Sequence, residues 1–387
     1  MTEAADLDAV IRGFSGELSA LRPAEGPVVD AHTHLGVDED GQSLQPEALI
    51  QYLDEAAPGA RACAFPFHDP DRTPSYRRPN DRVLAWARDS GGRIVPYCRL
   101  DPADDPVAEA QRCLGLGARG IKLHPRAQAF GFADGAADAI FAVARDAGVP
   151  ILVHAGRGMP RMDALATLAA RYHEVTLVLA HAAVADQAMF AARLADHPRV
   201  LYDTACMSPF DVVELFARVP AERVVFASDV PYGRPVSGLY QALRVAALAG
   251  LDERGRALVA GGTMAAAFDG GALPTARAPR IARVRPMSGA LLRVGSYLLM
   301  GIAAVLSPGV GRFDVARMVP WLAMARAACR DPAPDAAGPA LERIDGALRV
   351  AEGLVVQSGP EALAAFGLIH GAAVIAATEP LTETSDS

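Results

Sequence analysis

The residues best suited to chemistry are histidines placed at the ends of short apolar runs. His32 and His34 flank Thr33 in VVDAHTH, and His124, His154 and His181 close GIKLH, PILVH and VTLVLAH. Asp229 closes a further run of the same kind, VVFASD. Strand side chains alternate between faces, so residues two apart project together, and His32 and His34 would present paired imidazoles of the kind a first-row metal takes. A lone His-X-His is weak evidence and reads equally well as two incidental surface histidines. Its recurrence as run-ending histidines shifts the balance toward a site. Lys122 adds a second signal. Of 37 lysines and arginines it is the single lysine, and it lies two residues before His124. Such a skew reflects coding composition, and Lys122 could be its lone survivor. An amine, however, can be carbamylated or change its charge where a guanidinium cannot.

The elements that must position these residues follow a repeating pattern. Apolar, β-branched runs occur at 28–34, 60–67, 94–100, 120–124, 150–154, 175–181, 200–204 and 224–229. Between them lie stretches such as PEALIQYLDEAA and DAIFAVARDAG, with the length and apolar period of helices. Eight strands alternating with helices predict an α/β fold, a (β/α)8 barrel, over residues 28–273. A doubly wound open sheet is the rival, but it would show a Gly-rich turn after its first strand, and none is present. The chemistry-bearing residues sit at the C-terminal ends of the runs, where barrels carry their active sites. An amphipathic helix is expected within residues 1–27, with Leu7, Ile11, Phe14, Leu18 and Leu21 on one face. Residues 274–286 read as an Arg/Pro-rich linker, 287–377 as a helical region of four apolar segments, and 378–387 as a polar tail.

Composition narrows the function classes. The 387 residues are 51% hydrophobic and carry a formal charge of −8, with ample material for a large core and no cationic surface for nucleic acid. Cys63, Cys98, Cys113, Cys206 and Cys329 are scattered without metal-ligand or disulfide spacing. With an acidic N-terminus unlike a signal peptide, they point to a reduced, cytoplasmic chain. The segment 290–306 is the most membrane-like, but it is short for a span and carries Arg293. A buried or dimer-interface helix is the favoured reading, which leaves a homodimer open; membrane association is the alternative.

In order, VVDAHTH, GIKLHP, ILVHAG, LVLAH, LYDT and ASDVPYG resemble the amidohydrolase superfamily, in the branch of amidohydrolase-related barrels that includes aminocarboxymuconate-semialdehyde decarboxylase. The likeness covers about residues 28–265 and departs only at Gly261-Gly262-Thr263, where the family usually has Asn third; residues 275–387 lie outside it. The resemblance implies that His32, His34, His154 and Asp229 hold one divalent metal, zinc by default. Asp229 would serve as general base, and His181 would steady an oxyanion or shuttle protons. Lys122 would be either a carbamylated lysine bridging two metals or an ammonium facing substrate, with His124 supporting from behind. Arg72, Arg77, Arg78, Arg99, Arg126, Arg157, Arg161 and Arg234, in or beside the catalytic-face loops, suit a carboxylate-bearing small molecule. His68 and Tyr232 are rim candidates. The implied activity is metal-dependent hydrolysis of a small carboxylate, amide or lactone using metal-activated water. Non-oxidative decarboxylation on the same ligands is the first alternative, and a catalytically silent scaffold the second.

Overall fold

The structure, a computed structural model, describes residues 2–133, 135–157, 159, 162–279, 288–306, 315–331, 337–355 and 360–379. The eight runs form strands β1 (Val29–Val37), β2 (Arg61–Pro66), β3 (Ile94–Arg99), β4 (Gly120–Leu123), β5 (Ile151–His154), β6 (Leu177–Ala180), β7 (Val200–Asp203) and β8 (Val224–Val225). They pair in parallel in chain order, and a short strand, Ser43–Leu44, adds antiparallel to the end of β1. The chain beyond β8 runs along β1 and closes the ring. Ala31 N donates to Phe226 O at 3.0 Å, Asp229 N to His32 O at 2.9 Å, and His34 N to Val230 O at 3.1 Å. The fold is therefore the expected (β/α)8 barrel, and closure excludes the open sheet.

Period-two alternation builds two apolar layers from one set of strands. Ile121, Leu123, Ile151, Val153, Leu177 and Leu179 face outward into the layer shared with the crossover helices. Cys63, Phe65, Val95, Tyr97, Leu152, Val178 and Leu201 fill the lumen, which Met264 and Phe268 of the helix Thr263–Phe268 plug from below. Each fully buried aliphatic side chain contributes about 1.5–3 kcal/mol. Thr263, the family departure, is buried and donates its hydroxyl to Glu222 O at 3.2 Å. The same alternation carries inward-pointing positions up to the C-terminal ends: Arg99 follows Tyr97, His154 follows Leu152, and Asp203 follows Leu201.

Seven further helices matter below: α1 (Thr2–Leu21), α2 (Pro209–Arg218), α3 (Pro235–Leu248), α4 (Gly289–Leu306), α5 (Val319–Cys329), α6 (Gly338–Leu354) and α7 (Pro360–Thr378). The last four are the expected helical segments and share their own core, with Leu298, Leu322, Ile344, Leu348 and Ile369 buried in it. Two glycines let this bundle close onto the barrel. A Cβ at Gly295 would lie 2.5 Å from the Phe210 ring of α2, and one at Gly371 2.6 Å from the Phe14 ring of α1. Arg244 of α3 pairs with Glu17 and, at 2.7 Å, with Glu379. Tyr240 also donates to Glu17 at 2.9 Å, and Arg343 of α6 pairs with it. Among the described residues no helix is long and apolar enough to cross a membrane. Most of the predicted linker, with Arg280, Arg283 and Arg285, and tail residues 380–387 lie outside the described residues.

A polar clamp fixes the end of β3. Asn80 Oδ1 accepts from Arg99 N at 2.9 Å, and its amide donates to Arg99 O at 3.1 Å and to Glu109 at 2.9 Å. Glu109 in turn accepts twice from Arg112 at 2.7 Å. Burial alone would raise the Glu109 carboxyl, but its bonds from Arg112, Asn80 and Cys113 outweigh burial and hold it below the usual range. A lowered folded pKa gives stability that is present above the unfolded pKa, about 4.3, and lost as pH falls. Glu109→Gln is expected to cost about 1–3 kcal/mol at neutral pH. Denaturant midpoints at neutral and acid pH should show the gap between variant and wild type narrowing with acid; a gap independent of pH would contradict this.

Candidate metal centre and active site

A bulge in β1 aims its two histidines. Val29 and Asp30 pair with Arg61 and Ala62, but Thr33 pairs with Ala64, so β1 holds one extra residue. Below the bulge Val29 and Ala31 belong to the lumen cluster; above it His32 and His34 face the lumen, both buried. Their rings lie 5.4 Å apart, centroid to centroid. His32 Nε2 and His34 Nε2 each lie 3.0 Å from Asp229 Oδ1, and one ligand atom from each of the three residues falls within 4.8 Å of the others. Asp229 occupies the left-handed region at φ 61°, an unfavourable setting for a residue with a Cβ and a form of strain that gathers at functional sites.

Asp203, quoted in the LYDT motif but given no role from sequence, orders this group. Its Oδ2 accepts from His32 Nδ1 at 2.9 Å, and its Oδ1 accepts from the backbone of His181 at 2.7 Å and of Ala205 at 3.0 Å. With Nδ1 directed at Asp203, Nε2 is the atom of His32 that faces Asp229; burial and Lys122 act downward on this imidazole, but Asp229 and Asp203 outweigh them and raise its pKa above the usual value. Asp30 was missed in the same way. It accepts from Ser228 N at 2.9 Å and from His32 N at 3.2 Å, tying β8 to β1 beneath the site. The available signal was position: Asp203 ends its strand on the same inward face as Arg99, Lys122 and His154.

Lys122 is fully buried, with Nζ 3.2 Å from His32 Nε2 and 4.3 Å above the Phe65 ring. Burial, opposed by Asp229, pushes its amine down to about 7. Burial also pushes His34 down to about 3 and lowers His154 and His181, which favours the neutral imidazoles that ligate metals. For Asp229 burial acts upward, but His32 and His34 overcome it and the carboxyl is held well below its usual range. Asp30 is pushed up to about 7 by burial.

The structure does not bring every expected ligand into one cluster. His154 stands beside it, stacked on His124 at 3.9 Å, with Nδ1 3.2 Å from His181 Nε2. His181 Nδ1 donates to Ala205 O at 2.9 Å, so its Nε2 accepts from His154 and leaves the lone pair of His154 on Nε2. His124 Nδ1 accepts from Ala127 N at 3.2 Å. A cavity of about 400 Å³ opens over these groups, lined by His34, Asp38, His68, Arg99, His124, Arg126, His154, His181, Asp229 and Tyr232. Of the eight arginines, Arg99 and Arg126 reach it. Arg99 is 1% exposed and one of its terminal nitrogens is buried with no hydrogen-bond partner among the described residues. Arg72 pairs with Glu39, Arg78 with Asp71, Arg157 with Asp211 and Arg234 with Glu55. Arg161 lies outside the described residues.

The donors present fit a divalent cation. A carboxylate and two imidazoles converge, His34 is held neutral, and its Nδ1 is buried without a partner among the described residues. The amidohydrolase family model matches residues 29–269, more than half of the sequence. The chain belongs to the amidohydrolase family. Solved structures share the barrel. A zinc-bound amidohydrolase from Burkholderia multivorans is 18% identical, with a TM-score of 0.51 over 64% of this chain and 100% of its own. An IDCase from Metarhizium anisopliae is 15% identical, with a TM-score of 0.51 over 63% and 97%. A putative 2-pyrone-4,6-dicarboxylic acid hydrolase from Pseudomonas putida is 16% identical, with a TM-score of 0.50 over 64% and 98%. No curated protein matches this amidohydrolase in sequence. These folds span nearly their whole lengths on about two thirds of this chain.

Asp203→Asn should leave the barrel folded but weaken the hold on His32. Zinc affinity, measured by competition with a chelating dye, is expected to fall about 10–100-fold. An unchanged affinity would show that Asp203 does not orient a ligand.

Proposed function

We propose that this amidohydrolase-family chain is a metal-dependent hydrolase of a small carboxylate-bearing amide or lactone. The observation that carries the reading is the convergence of His32, His34 and Asp229 beneath one cavity, which His34 and Asp229 line together with Arg99. His32, His34 and Asp229 would hold the ion, with the Nε2 lone pair of His154 as the further candidate ligand. A bound divalent ion, zinc by default, lowers the pKa of water toward neutrality and polarises a carbonyl oxygen.

The side chains supply the remaining work. Arg99, its backbone fixed by the Asn80 clamp, lines the cavity and offers its guanidinium to the substrate carboxylate, which would set the acyl carbon over the three-donor cluster. Asp229 accepts the proton of the attacking water and returns it to the leaving oxygen or nitrogen. Lys122, buried below the cavity with Nζ 3.2 Å from His32 Nε2, is proposed to position His32 and Asp229. His181 holds the His154 tautomer and is proposed in the proton-shuttling role, because its Nδ1–H is committed to Ala205 O. Arg126 and Tyr232 complete the walls, with Tyr232 anchored to Asp38 at 3.3 Å.

A panel of lactones, amides and unsaturated or aromatic acids, run in ¹⁸O-labelled water, tests the reaction. Hydrolysis places solvent oxygen in a product, whereas release of CO₂ with solvent deuterium at carbon would move the assignment to decarboxylation. On the hydrolysed substrate, Asp229→Asn should abolish turnover while retaining part of the metal. Lys122→Arg replaces an amine that can lose its proton near neutral pH with a bulkier, permanently charged guanidinium, and kcat should fall at least about tenfold. A wild-type rate in either variant removes that residue from the mechanism.

A further inference from the structure

The helical region outside the family match at 29–269 builds a second cavity beside the first. It is an open cleft of about 570 Å³ between the loops after β7 and β8 and helices α4 and α7. Leu299, Ile302, Ala303 and Phe366 form one wall, and Met207 and Phe210 the other. Tyr232 lines both this cavity and the one above the metal centre. At its far end Ser237 and His370 also line an apolar groove of about 180 Å³ between α1, α3 and α7. Tyr232 thus stands between the first two spaces, and Ser237 and His370 between the second and third. Two buried polar atoms along this path have no hydrogen-bond partner among the described residues: Oε1 of Gln241, a residue only 2% exposed, and Nδ1 of His370. Both residues line the large cavity. Gln241 is held in place by its amide, which donates to Met207 O at 3.2 Å.

We infer that this path is the substrate's second subsite: the acyl head reacts in the first cavity while a long aliphatic chain bearing a hydroxyl or amide group runs past Tyr232 between the barrel and helices α4 and α7. The inference rests on the hydrolase reading for the head group but on the cavity alone for the chain. A second space walled by Leu299, Ile302, Phe366, Met207 and Phe210, next to a further apolar groove, suits an aliphatic chain extending from the head group. Gln241 Oε1 needs a donor, and His370, pushed down to about 4 by burial and so neutral at physiological pH, can accept or donate with Nδ1. A mid-chain hydroxyl or amide would satisfy them, whereas a plain alkyl chain would leave two buried polar groups unmet. The substrate class is thus an amphiphilic acyl compound, and the bundle acts as a specificity wall.

The test is equilibrium binding by calorimetry of butyrate, hexanoate, octanoate and decanoate to the zinc-loaded full chain, followed by the 6-, 8- and 10-hydroxy derivatives of decanoate. Affinity should rise with length by up to roughly fourfold for each methylene buried, and the hydroxy acid with its group at the matching depth should bind more tightly than decanoate. Two variants fill open space without removing a packed side chain. Ala303→Trp narrows the large cavity and should flatten the series beyond the short acids. Gly367→Leu narrows the groove, where a Cβ meets nothing within 4 Å, and should weaken only the longest. A flat series in the wild type overturns the inference, as does a length dependence that survives Ala303→Trp, which would mark non-specific adsorption. Failure of hydrolysis with the length series intact would sink the reaction assignment and leave the subsite standing; hydrolysis of short substrates with a flat series would do the reverse.

Discussion

The contact on which the rest depends is the hydrogen bond from His32 Nδ1 to Asp203 inside a closed barrel. Removing a charge from water costs several kcal/mol, so Asp203, Asp229 and Lys122 can share the top of the lumen only because each meets a partner. Asp203 satisfies three donors at once and, by doing so, settles which nitrogen of His32 faces Asp229. Asp229 in turn ties the chain after β8 onto β1 through its backbone N–H to His32 O. Chemistry and closure are therefore one construction: the strands that seal the ring are those that carry the three converging donors. Below them, the layer of Cys63, Phe65, Val95, Tyr97, Leu152 and Val178 keeps water out and the strand ends in place.

Much of this was legible in the chain. Continuous apolar runs of strand length, separated by helical periods, specify a parallel barrel with few competitors, because a parallel sheet must be covered on both faces. Histidines at strand ends located the site for the same reason that barrels place function there: the lumen below is needed for packing. What could not be read came from places where local pattern and tertiary register part. The extra residue in β1 decides which side chains face inward, yet no propensity marks it. Asp203 was passed over because a single aspartate at a strand end has many uses. The placement of His154 against His124 and His181 depends on how three strands stagger, which only closure determines.

The helical region extends the same logic to a second layer. Its sequence announced apolar helices without saying what they cover, since an unpatterned apolar face serves a bundle core, a partner or a bilayer equally well. In the fold, Gly295 and Gly371 admit the rings of Phe210 and Phe14, and Glu17 ties Arg244 of the barrel to Arg343 of the bundle. The bundle thereby stands against the loops after β7 and β8, on the face where the chemistry lies. Tyr232 is the hinge of that relation: its ring packs edge-on to His34 while its other side belongs to the neighbouring cavity.

The central claim is that His32, His34 and Asp229 form one metal centre. Anomalous diffraction at the zinc absorption edge, on crystals of the zinc-loaded chain, tests it most directly. The account predicts a strong anomalous peak about 2.0–2.2 Å from His32 Nε2, His34 Nε2 and an Asp229 oxygen. The absence of a peak there at saturating zinc, or a peak held by other residues, would contradict it.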